Sequence, residues 1–116
     1  MIQIAIVDDE SRQIKIIQQS IQNFFRQKNR ADDYRMDTFH SGESLIMSSR
    51  LYDLIFLDIQ MNGMDGIETA KKIRTWDRKV CVIYVSNYTE KMAASFTVHP
   101  FSFYQNRFDN RTFTRI

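Results

Sequence analysis

Cysteine, proline and glycine are scarce in these 116 residues: one Cys, one Pro and three Gly. The single thiol, Cys81, lies in the apolar run 80–85. That excludes a disulfide framework and a multi-cysteine metal cluster, fits a reducing compartment, and makes Cys81 a core residue rather than a redox sensor. No apolar run approaches the roughly 18 residues of a membrane span and no basic leader opens the chain, so a soluble cytoplasmic domain is expected. Charge of one sign is missing too. Sixteen Lys and Arg stand against fourteen Asp and Glu, a formal +2. The late arginines Arg107, Arg111 and Arg115 read as a solvated helix face, not as a nucleic-acid footprint. His40 and His99 have no partner at ligand spacing, which excludes a zinc site of the common kinds. No repeat or low-complexity linker divides residues 1–116, which read as one domain, large enough to bury roughly two-thirds of its unfolded surface.

What is present is an alternation of apolar runs and amphipathic segments. Residues 2–7 form a short Ile, Ala and Val run that stops at Asp8-Asp9-Glu10, the profile of a strand buried on both faces. Ser11 is placed to cap a helix of about 18 residues, with Ile14, Ile17, Ile21, Phe24 and Phe25 at helical spacing. Residues 34–39 alternate like a strand nearer an edge. Ser41 opens a short helix with Leu45, Ile46 and Met47 inward, and residues 53–59 are again a buried strand closed by an acid, Asp58. A loop over 60–66 precedes a helix marked by Ile67, Ala70, Ile73 and Trp76. Residues 80–85 form a further strand ending in Ser86-Asn87. A weaker helix over 89–98, an aromatic strand over 101–104 and the start of a last, truncated helix over 109–116 follow. Strands alternating with helices imply a doubly wound α/β domain with a parallel sheet and helices on both faces. Right-handed crossovers bring Asp8, Asp9, Asp58 and Ser86 to the carboxyl edge of that sheet.

Three carboxylates gathered from two strand ends raise one another's pKa unless a cation compensates them. Hard oxygen donors suit Mg²⁺, which keeps positions open for phosphate oxygens. The expected site has Asp9 and Asp58 as direct ligands, the Gln60 carbonyl as a third, and Asp8 acting through water. The plainer reading makes Asp8 and Asp9 helix N-terminal acids and Asp58 a turn residue. A third acid and a hydroxyl at further strand ends favour the site. A carboxylate beside Mg²⁺ is also a nucleophile able to attack phosphorus in line. Met61 and Met64 flank this acidic loop, where partner contact and local packing both stay open.

These residues carry a resemblance. Residues 4–9, 53–61, 64–66 and 82–86 resemble the motif blocks of response-regulator receiver domains. The runs Val82-Ile83-Tyr84-Val85-Ser86-Asn87-Tyr88 and Phe96-Thr97-Val98-His99-Pro100-Phe101 resemble receivers of the LytTR-type transcriptional regulators. The resemblance implies a flavodoxin-like five-stranded parallel sheet in order 2-1-3-4-5. It makes Asp58 the phosphoacceptor and Asp8 and Asp9 the acidic pair that holds Mg²⁺. Ser86 becomes the hydroxyl that engages the phosphoryl group, and Phe103 the switch aromatic. It further implies a sensor histidine kinase as donor, an output domain that binds DNA outside this chain, a possible homodimer, and a regulatory domain that assists its own phosphotransfer and dephosphorylation rather than an enzyme. The chain departs from the family where a Lys is usual: Asn106 stands there, with Arg107 and Lys91 as candidate substitutes. Asn62 replaces a common Pro, and Asn87 a small residue. The alternative is a pseudo-receiver that binds partners independently of phosphate. A haloacid-dehalogenase-like phosphatase is set aside because Gln60, not Asp, lies two residues after Asp58.

Overall fold

The computed structural model describes residues 1–85 together with the backbone of 86–87 and 101–105. Its elements are β1 (Ile2–Val7), α1 (Ser11–Gln27), β2 (Tyr34–Phe39), α2 (Gly42–Met47), β3 (Leu54–Asp58), α3 (Gly66–Arg74), β4 (Cys81–Asn87) and β5 (Phe101–Gln105). The strands form one sheet in the order β2-β1-β3-β4-β5. β1 pairs in parallel with β2 and β3, and β3 with β4. The strand order agrees with the sequence-based expectation.

The fifth strand does not run as expected. β5 is antiparallel to β4, with Val85 opposite Phe103 and Asn87 opposite Phe101. An edge strand has a single neighbour, either direction satisfies its one ladder, and antiparallel pairing is slightly the stronger. The sheet is therefore parallel over β1 to β4 and mixed at one edge. The expected helices over 89–98 and 109–116 lie outside the described residues.

The core has two layers because the strands bury both faces. On one face Ile14, Ile17, Ile21 and Phe25 of α1 pack on Ile4, Ile6, Leu54, Phe56, Ile83 and Val85. On the other, Leu45 of α2 and Ala70 and Ile73 of α3 cover Ala5, Val7, Ile55, Leu57 and Val82. Each fully buried Ile, Leu or Val contributes roughly 1.5–3 kcal/mol. Cys81 is 4% exposed within the first layer, as its apolar run implied.

Asp53 fixes the register from the amino edge. Its carboxylate accepts the Gln3 amide at 2.8 Å, its amide donates to the Gln3 carbonyl at 2.8 Å, and its carbonyl accepts the Cys81 amide at 3.1 Å. β1, β3 and β4 thus start level, and at the other end Val7 lies opposite Leu57 and Asp58 opposite Val85. That shared register brings the residues after Val7 level with the end of β3.

Candidate functional site: an acidic cluster at the carboxyl edge

β1 stops after Val7, and the side chain of Asp8 accepts the Glu10 amide at 2.9 Å. That bond shapes the entry to α1, whose N-cap is Glu10 and whose first helical residue is Ser11. Ser11 is thus the first helical residue and not the expected cap, and the Glu10 side chain makes no capping bond. Asp8 is 3% exposed, Asp9 is exposed, and Asp58 is half-buried. One carboxylate oxygen from each of the three lies within 4.8 Å of the others.

Burial pushes the carboxyl of Asp58 up to about 8, with the Asp8 charge adding to the effect. Burial also raises Asp8, against the pull of the Glu10 amide. The two interact directly, so the folded chain keeps a proton on the pair that an isolated carboxylate would release near 4. A cluster that charges itself only at such cost suits a hard divalent cation: three carboxylate oxygens are of the right type and spacing, and a bound cation offsets the repulsion. Asp8, Asp9 and Asp58 are the residues able to hold it.

The loop after β3 closes over this cluster by a sequence of backbone amides. Gln60 N–H donates to the Asp58 carboxylate at 3.2 Å and Asn62 N–H to the Asp9 carboxylate at 3.2 Å. Gly63 between these and α3 has φ +78°, a conformation that favours glycine. Gly66 brings α3 directly onto the strand end: its amide donates to the Ile59 carbonyl at 2.9 Å, and a Cβ there would stand 2.1 Å from the Asp58 carbonyl oxygen. Asp65 caps α3 by accepting the Glu68 amide at 2.8 Å. Sequence reading named Asp8, Asp9, Asp58 and Gln60. It placed Gly66 in the loop and in a motif block without a role at the site, and it missed the Asn62 amide, a backbone group that no side-chain pattern reveals.

Ser86 lies in β4, one residue beyond the partner of Asp58, and so on the same edge as the cluster. Phe103 lies in β5 opposite Val85. Asn106, Arg107 and Lys91 lie outside the described residues, as do residues 96–100 of the second run. Met61 packs partly against the layer covered by α2 and α3. Among the described residues no helix is long and apolar enough to cross a membrane.

A family model, response regulator receiver domain, matches residues 4–100. Sensory transduction protein LytT of Oceanobacillus iheyensis is 30% identical over 112 residues, covering 87% of this chain and 43% of that protein. Transcriptional regulatory protein ResD of Bacillus subtilis is 36% identical over 73 residues, 61% of this chain and 27% of its own length. The chain therefore spans less than half the length of these curated relatives. Among solved structures, response regulator TrrA bound to histidine kinase ThkA shares 30% identity at a TM-score of 0.62, covering 78% of this chain and 72% of that one. TrrA of Thermotoga maritima in complex with Mg²⁺-BeF shares 28% identity at a TM-score of 0.55, covering 83% and 77%. The acidic cluster at the carboxyl edge of a 2-1-3-4-5 sheet and the match over residues 4–100 together show that the chain belongs to the response regulator receiver domain family.

Proposed function

We propose that this chain is the phosphoacceptor module of a two-component transcriptional regulator, taking a phosphoryl group on Asp58 from a histidine kinase in a Mg²⁺-dependent reaction. The observation that carries the proposal is the convergence of Asp8, Asp9 and Asp58, with one oxygen of each within 4.8 Å of the others. A relative solved with Mg²⁺-BeF and the same regulator solved with its kinase support both the metal and the donor. A carboxylate oxygen of Asp58 attacks phosphorus and forms a new P–O bond. The P–N bond of the donor phosphohistidine breaks, and its electron pair returns to the imidazole nitrogen. Mg²⁺ when bound neutralises charge on the transferring oxygens. The protein's own part is to hold Asp58 in place through the Gln60 amide and to give up the proton kept on the Asp8 and Asp58 pair. Gln60 supplies a backbone carbonyl as a further metal donor. Ser86 and Phe103, at the same edge and on the neighbouring strand, relay the modification to the surface that meets an output domain or a second copy in a homodimer. The setting is the cytoplasm, and the domain itself touches no nucleic acid.

The test is intact mass after incubation with Mg²⁺ and acetyl phosphate, with Asp58→Ala as control. Gain of one phosphoryl group by the parent and not by the variant is the expected result. No gain in a folded, Mg²⁺-binding parent would favour the pseudo-receiver, the reading to which Asn106 at the usual Lys position points.

A further inference from the structure

Three alternate amides of the loop over the cluster each donate to a carboxylate: Gln60 to Asp58 at 3.2 Å, Asn62 to Asp9 at 3.2 Å, and Met64 to Glu43 at 3.3 Å. The first two acceptors belong to the acidic cluster itself. The third does not. Glu43 comes from the first turn of α2, a separate element, and is exposed to solvent.

That turn is firmly seated. Ser41 caps it by accepting the Ser44 amide at 3.1 Å, and Leu45 anchors it in the core. Gly42 lies against α3 so closely that a Cβ would stand 2.0 Å from the Thr69 hydroxyl oxygen, and Thr69 is fully buried. Glu43 is thus presented from a rigid base. Its carboxylate also comes up against the Gly63 backbone, where a Cβ would be 3.0 Å from the same oxygen that accepts the Met64 amide. Gly63 sits at φ +78° between the amide held by Asp9 and the amide held by Glu43, so the turn of the loop is fixed from both sides.

We propose that Glu43 is a positioning residue for the acidic site: it holds the loop over 60–65 so that Gln60 and Asn62 stay on Asp58 and Asp9. It would touch neither the cation nor the phosphoryl group. The inference rests on the phosphoacceptor reading for its purpose, but the contact it invokes is present whether or not Asp58 is modified. A hydrogen bond to a charged acceptor on an exposed loop governs local order more than global stability. Groups that orient metal ligands without touching the metal also influence its affinity.

The test compares the 116-residue parent with Glu43→Ala and Glu43→Gln. Amide exchange of residues 60–64 is followed by NMR without metal, Mg²⁺ alone is titrated, and the rate of phosphorylation by acetyl phosphate is read at saturating Mg²⁺. Glu43→Ala is expected to speed exchange of the Met64 amide about tenfold and to raise half-saturation by Mg²⁺ about three- to tenfold, leaving the amides of α1 and β1 unchanged. Glu43→Gln, which keeps an acceptor oxygen without charge, is expected to fall between the parent and Glu43→Ala on both readouts. Parent-like loop exchange and Mg²⁺ binding in Glu43→Ala would overturn the proposal. So would equal damage in Glu43→Gln, because charge and not the hydrogen bond would then be responsible. A parent that takes no phosphoryl group would overturn the phosphoacceptor reading instead, with the exchange and Mg²⁺ data still deciding the role of Glu43.

Discussion

Asp58 holds its proton in the folded chain up to about pH 8, whereas an unfolded chain releases it near 3.8. Between those values the folded state binds the extra proton, so ionisation opposes folding and stability falls as pH rises through that window. A divalent cation favours the ionised cluster and offsets the loss. Asp58→Asn removes one acid of the interacting Asp8 and Asp58 pair while keeping the shape. In metal-free buffer the variant is therefore expected to gain stability relative to the parent between pH 5 and pH 8, and excess Mg²⁺ should narrow the gap. Urea unfolding at the two pH values with and without Mg²⁺ checks this, and a gap that stays constant with pH would show that Asp58 is ionised throughout. The acids and amides of this site were unequally legible in the sequence. Asp8, Asp9 and Asp58 announce themselves jointly, because an acidic pair alone has a structural reading at a helix start, whereas a third acid and a hydroxyl at further strand ends of one sheet edge do not. The amides of Asn62 and Met64 are invisible at that level, since every residue but proline has one and only the loop's path decides which acid it meets.

The elements show where local pattern suffices and where it does not. Gly66 joins α3 to the end of β3, and a methyl group there would meet the Asp58 carbonyl oxygen at 2.1 Å, a backbone atom that side-chain rotation does not relieve. Gly66→Ala is expected to cost about 1–3 kcal/mol and to weaken Mg²⁺ binding as well, because relief of the clash moves Asp58. Calorimetric melting together with a Mg²⁺ titration reads both; a stability loss with Mg²⁺ affinity unchanged would separate the helix junction from the site. β1 and β2 fall where the hydrophobic pattern put them, at Ile2–Val7 and Tyr34–Phe39, because a buried parallel strand is an apolar run with abrupt ends and an edge strand alternates. The inward faces of α2 and α3 were read too generously. Met47 is 81% exposed at the end of a six-residue helix, and Trp76, 48% exposed, follows a helix that already ends at Arg74. Periodicity places a residue on a face only while the helix continues. The direction of β5 had no signal at all, since a short aromatic strand has the same composition whichever way it runs along β4.

Taken as a whole, the molecule separates its stability from its chemistry along the strand axis. The acids sit where β1 and β3 end, while the C-terminal part of α1 packs near the start of β2, where Phe25 stacks on Tyr34 with ring centroids 4.3 Å apart and planes at 23°. Phe25 is 1% exposed and belongs to the layer of Ile4, Leu54 and Cys81, residues near the amino ends of their strands. Tyr34 lies opposite Ile2, at the first pair of the β1 and β2 ladder, and Asp8 follows the last. Five ladder steps at roughly 3.3 Å per residue thus separate the ring stack from the end of β1. Truncating the ring opens a cavity in a close-packed layer, and Phe25→Ala is expected to lose about 3–5 kcal/mol. Register among β1, β3 and β4 is set independently by Asp53 and by the opposite core layer of Leu45, Ala70 and Ile73, so the carboxylates should keep their places in whatever fraction remains folded. Mg²⁺ affinity measured well below the melting temperature is therefore expected to match the parent. A parallel loss of Mg²⁺ binding would mean that α1 transmits strain along β1 to Asp8 and Asp9, and that the two layers of the core act on the site as one unit.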